Sequence, residues 1–108
     1  MNHPGIEPGW FDQITDPVAR DCYLRGMNAY STMSYEGNCK AREYYVKLHE
    51  RQPDSSIAAS NISITHWTDY TAGWSPAPAE SLRQAIHWAN ISREYAINDG
   101  FGLSLIHI

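Results

Sequence analysis

The sequence predicts an all-α fold: a small four-helix arrangement ending in an antiparallel helical hairpin. Three observations carry that expectation. Apolar residues recur three and four positions apart in each long patterned stretch, the period of a helix with one buried face. Helix-start residues punctuate the stretches at Asp16-Pro17, Pro53-Asp54 and Ser75-Pro76-Ala77-Pro78. No Asn-Gly or Asp-Gly pair joins two alternating runs, as a two-residue β-hairpin requires. Asp99-Gly100 instead falls where the last helix should stop.

The elements follow in order. Residues 1–14 read as an extended lead-in with two Pro-containing turns, whose Trp10-Phe11 pair plugs a groove. A helix near 17–33 starts with Asp16 as N-cap and Pro17 at N1. It places Val18, Cys22, Gly26, Ala29 and Met33 on one face, flanked by Tyr23 and Tyr30. Small residues at 22, 26 and 29 admit a close second helix despite the cost of an interior Gly. Glu36-Gly37-Asn38 is expected to end it. A helix near 38–52 then buries Ala41, Tyr44, Tyr45 and Leu48 and carries Lys40, Lys47 and Arg51 on one side, next to Tyr44. Glu43 and Lys47 can pair one turn apart, the behaviour of an ordinary solvated face. Pro53-Asp54 is expected to end this helix and cap the next.

The segment 55–73 has two readings. Ile62-Ser63-Ile64-Thr65 alternates and is β-branched, which suits a strand. Ile57, Ile64, Trp67, Thr71 and Trp74 make a helical stripe, and nothing else in the chain offers a strand a partner, so a helix is expected. The last helix, near 78–98, has two stripes. Leu82, Ala85, Ile86, Ala89 and Ala96 form one; Trp88, Ile91 and Tyr95 form the other. Both could be core in a small bundle. Otherwise the aromatic stripe needs another helix, a ligand or a second subunit, and it predicts a homo-oligomer formed through Trp88, Ile91 and Tyr95.

Two resemblances sit on these helices. Tyr35 to Pro53 is similar to the second half of a tetratricopeptide repeat, with Ala41, Tyr45, Leu48 and Pro53 at matching spacings. No second copy of the period follows, so this reads as convergence on a helical hairpin. Leu82-x-x-Ala85-x-x-Trp88-Ala89-Asn90 resembles the second helix of a hairpin in small phage proteins. Those proteins sequester cyclic-nucleotide immune signals, acting as sponges against the bacterial CBASS and Thoeris defences. The match covers nine positions, and this chain has Arg83 and Gln84 where the family pattern has acidic residues. The resemblance implies a non-enzymatic, cytoplasmic anti-defence protein in an infected bacterial cell, binding a small cyclic nucleotide.

Composition bounds the alternatives. The 108 residues, 43% hydrophobic and 19% charged, suit one helical domain over 1–102. Leu103-Ser104-Leu105-Ile106-His107-Ile108 matches the translation of a transposon adapter used in sequencing libraries, so this tail is expected to be adapter-derived or disordered. A net charge of −4 disfavours a general nucleic-acid binder. Yet half of all Lys and Arg fall within 37–51, as Lys40, Arg42, Lys47 and Arg51. Four Trp and seven Tyr against two Phe suit a surface half apolar and half wet. Cys22 and Cys39 have no metal or redox spacing, and no apolar run approaches membrane-spanning length.

Catalytic signals are sparse. The five histidines form no metal-ligand spacing, and His66 with Asp69, or His87 with Glu94, has no nucleophile placed beside it. There is no phosphate-cradling Gly-rich loop. The expectation is therefore no enzyme, no metal and no cofactor. For an anionic ligand carrying bases, Lys40, Lys47, Arg51, Arg83 and Arg93 are the candidate cations, and Tyr44, Trp88 and Tyr95 the candidate stacking faces. The alternative is a helical protein-interaction module that inhibits a host protein.

Overall fold

The computed structural model describes residues 14–98, so the lead-in with Trp10-Phe11, the Asp99-Gly100 stop and the 103–108 tail lie outside the described residues. Four helices follow one another: α1 (Pro17–Tyr30), α2 (Tyr35–Arg51), α3 (Ser56–Thr71) and α4 (Pro78–Asn98). Among the described residues there is no strand. The β-branched run at 62–65 is helical because the helical period encloses Ile62 and Thr65 fully and turns Ser63 to α4, where its Oγ donates to the Ala85 carbonyl. Tertiary burial overrides the local preference for extended backbone.

The starts follow side-chain capping. Asp16 accepts from the Ala19 amide at 2.9 Å, ahead of Pro17. Ser34 caps α2 through the Gly37 amide, so Glu36-Gly37-Asn38 is the first turn of α2 rather than a break. The break falls at 31–34, where Met33 takes a left-handed φ of 53°. Ser55, not Asp54, caps α3 by accepting from the Ala58 amide. Gly73, at φ 74°, lies just past α3 and lets the chain reverse into the Pro-rich turn.

The helices form two antiparallel hairpins, α1/α2 and α3/α4, joined along α2 and α3. In the first, Gly26 is indispensable to the close approach. A Cβ there would sit 2.8 Å from Cδ1 of Tyr45 and closer still to the ring edge. Around this contact lie Ile14, Ala19, Cys22, Tyr23, Ala41, Tyr45 and Leu48. Burial pushes the Tyr23 phenol up to about 12 and raises Tyr45 further. The buried face of α1 is rotated from the expected one: Val18 and Met33 are exposed, while Ala19 and Tyr23 are inside. Tyr44 is only half-buried.

The second hairpin is held by a seam of small residues. Ser63 Oγ donates to the Ala85 carbonyl at 2.6 Å, and Ser92 Oγ donates to the Ser56 carbonyl at 2.8 Å. Ser81, Ala85, Ser92 and Ala96 are the buried face of α4. The first expected stripe is thus split: Ala85 and Ala96 are buried, while the second stripe is partly covered. Trp88, Ile91 and Tyr95 are half-buried, and Trp88 packs on the common core with His49 of α2 at 5.0 Å between ring centroids. Ile86 and Ala89, expected inside, face outward. On α3, likewise, Ile64, Trp67 and Thr71 are outside. Apolar periodicity finds Ala85 and Ala96 of the covered face of α4 but not Ser81 and Ser92, which complete it.

Candidate functional site

Two pairs of polar residues, each one turn apart, join the hairpins. Asn38 and Arg42 on α2 face Thr65 and Asp69 on α3. Asn38 Nδ2 donates to the Thr65 carbonyl at 2.9 Å and to Asp69 Oδ1 at 2.8 Å. Arg42 donates from Nε to Thr65 Oγ1 at 2.9 Å, and from Nη2 to the Thr65 carbonyl at 3.0 Å and Asp69 Oδ2 at 2.5 Å. Both carboxylate oxygens are thus satisfied in a largely dry setting, which makes the pair stronger than a surface ion pair. Asn38 Oδ1 is buried without a hydrogen-bond partner.

Beside this network a cavity of about 270 Å³ opens at the α3–α4 turn. Arg42 and Asp69 of the network line it. Tyr35 and Cys39 of α2 form one wall, His66 of α3 another, and Glu80, Ser81 and Gln84 of α4 the third. Residues Trp74 to Ala77 form the rim, with Trp74 edge-on to Tyr35 at 6.3 Å. This segment is tied down at Trp74 and Ser75. The Trp74 and Ser75 amides donate to the Asp69 carbonyl at 3.0 and 3.2 Å, and Ser81 Oγ donates to Ser75 Oγ at 2.6 Å.

The electrostatics of this cavity are not those of an anion site. Arg42 is matched by Asp69, and Glu80 is held below the usual carboxylate range by hydrogen bonding to Gln84 and by the nearby Arg83. His66 is pushed below its ordinary value of 6.5, first by burial and then by Arg42, so it is neutral at pH 7. One cation against two carboxylates suits a flat polar ring that donates hydrogen bonds to Asp69, Glu80 or Gln84 and rests on Trp74. The volume falls just under the range of about 300–1,000 Å³ for sites that enclose a drug-sized ligand. It fits one ring, not a whole dinucleotide.

None of the eight sequence-derived ligand residues borders this cavity. Lys40, Tyr44, Lys47 and Arg51 lie along α2, with Lys47 Nζ 5.7 Å from the Tyr44 ring centroid. Arg51 forks onto Asp16, with Nε and Nη2 each 2.9 Å from a carboxylate oxygen. Arg83 pairs with Glu80, and Arg93 bonds Asn90 Oδ1 at 2.8 Å. Trp88 turns toward α2, against His49, and Tyr95 is half-buried. Helix α2 thus brings together the lysines and Tyr44, while the cations of α4 stay apart from them. Sequence reasoning counts Arg42 among the basic residues and Thr65 in the β-branched run, but makes neither of them, nor Asn38, a site residue. Their signal was two polar pairs at i, i+4 placed on otherwise apolar faces, beside Ala41 and Ile62.

Among the described residues no cluster of three His, Cys, Asp or Glu could hold a metal ion. No described helix is long and apolar enough to cross a membrane. No family model, curated protein or solved structure matches the chain.

Proposed function

We propose that the protein is a non-enzymatic binding protein that captures a small cyclic nucleotide, sequestering an immune signal in the manner of a phage anti-defence sponge. The observation that carries this reading is the cavity at the α3–α4 turn, where a tied-down Trp rim stands over paired hydrogen-bonding groups. A nucleobase fits its size and its charge balance; the phosphates would lie outside it. A dinucleotide would then engage a second site, either the Lys40/Lys47 side of α2 or another protomer. Capture without chemistry is supported by Asp69, whose carboxylate is committed to Asn38 and Arg42 and so is not a free base.

The test is calorimetry with a panel of cyclic dinucleotides, cyclic trinucleotides and cyclic ADP-ribose isomers. The cavity reading expects one member to bind, and Trp74→Ala to weaken it about tenfold or more, the scale of a lost stacking face. Binding that survives Trp74→Ala but is lost when Lys47 and Arg51 are reversed to Glu would move the ligand to α2. No heat from any member would reject nucleotide capture and leave the protein-interaction module.

A further inference from the structure

Helix α3 carries one formally charged side chain over Ser56–Thr71, Asp69, and buries it. Its outer side nevertheless faces solvent, with Ile64 40% and Trp67 49% exposed. A helix that remains in water normally shows a charged face, as α2 does with Glu36, Lys40, Glu43, Lys47 and Glu50. On α3 the residues facing α2 are Ile62, Thr65 and Asp69, and those facing α4 are Ser56 and Ser63. On α4, Trp88 marks the side toward α2, and Ser81, Ala85 and Ser92 the side toward α3. Stepping 100° per residue from these anchors leaves Ile64 and Trp67 on α3, and Leu82, Ile86 and Ala89 on α4, on one common face. That face is turned away from the α1/α2 hairpin. Ile86 is 54% exposed on it.

We propose that this face binds a second copy of the same chain, with a two-fold axis parallel to the hairpin. Such an axis lays α3 of one protomer over α4 of the other and closes a four-helix bundle from two hairpins. The aromatic Trp67 then meets the aliphatic Leu82 and Ile86, so the surface is self-complementary in shape class. It is also complementary in charge. The Ser63–Ala85 and Ser92–Ser56 hydrogen bonds fix the hairpin register, which sets Arg93 level with Asp54. Across the axis, Arg93 therefore approaches Asp54 of the partner subunit, twice in the dimer. The size is that of a weak, concentration-dependent dimer. Sixteen residues of α3 span about 24 Å, and two helices side by side about 20 Å, giving about 1,000 Å² for both partners, the lower bound of a specific interface. This inference is independent of the cavity, which opens between α2, the α3–α4 turn and α4.

Sedimentation velocity of the full chain over a concentration series tests it. The wild type should dimerise, and Trp67→Glu and Ile86→Glu, both at exposed positions, should each weaken dimerisation at least about tenfold with unchanged far-ultraviolet circular dichroism. Arg93→Asp and Asp54→Arg should each weaken it, and the two together should restore it, which specifies the axis without touching the apolar residues. A wild-type monomer throughout the series overturns the proposal and leaves the face to a different partner. So does a dimer indifferent to both Glu variants, or a double reversal no better than the singles.

Discussion

Thr65 accepts from three donors across the α2–α3 joint, and the side chain that adjoins it on the cavity side is His66. His66 titrates under the opposing pull of its neighbours: burial and Arg42 lower it, while Asp69 and Glu80 draw it back less strongly. Its folded value lies below the ordinary 6.5, so the unfolded chain takes up the proton first. Stability must therefore fall as pH drops through 6.5 and continue falling until the folded-state value is passed. Asp16 acts later in the same direction. Its carboxyl is held below 3.8 by Arg51 and by the Ala19 amide, so its contribution is present above that value and disappears in stronger acid. Thermal melts between pH 7 and 5 should show a falling midpoint in the wild type and a flatter profile in His66→Gln. Equal slopes would mean that another group carries the proton uptake.

At the scale of the element, α4 separates what periodicity can and cannot tell. Its length, its Pro78 start and its pairing with α3 were legible from the spacing of apolar residues and the Pro-rich turn. Its contact face was not. Ser81 and Ser92 are polar by type and belong to neither apolar stripe, yet both are buried: Ser92 bonds the Ser56 carbonyl, which lets two helices approach closely, and Ser81 bonds the Ser75 hydroxyl. Bulkier Ile86 was read as core and lies outside for the same reason: a seam of Ser and Ala has no room for it. The cavity was hidden for a different cause. Arg42 and Asp69 lie far apart in sequence, and only the α2–α3 crossing makes them partners. Position 92 tests the seam. Ser92→Ala removes one hydrogen bond and should cost about 1 kcal/mol. Ser92→Leu must wedge α3 from α4 and should cost about 1–3 kcal/mol beyond that. Chemical denaturation reads both; a Leu variant as stable as the Ala variant would show that the hairpin has slack.

For the whole molecule, the central question is whether two hairpins joined along one helix pair unfold as one body. Each hairpin alone falls near the size of about 40 residues below which chains usually need a disulfide, a metal or a partner to fold. The two cysteines are free thiols. Each hairpin therefore depends on the α2–α3 joint, where the apolar contacts of Leu48, Ala58 and Ile62 meet the Asn38–Arg42–Thr65–Asp69 network. Removing the carboxylate tests that dependence. Asp69→Ala leaves the Arg42 charge and the Asn38 amide group facing a cavity in a mostly buried position, a loss of about 3–5 kcal/mol for a broken buried pair. That is comparable with the whole stability of a small domain, about 5–15 kcal/mol. The loss should be global. Segment-resolved hydrogen exchange of Asp69→Ala should accelerate protected amides in α1 and α4 together, although the side-chain partners of Asp69, Asn38 and Arg42, both belong to α2. Faster exchange in α3 and α4 with α1 and α2 unchanged would instead make the first hairpin an independent folding unit, and the joint a docking contact between two bodies.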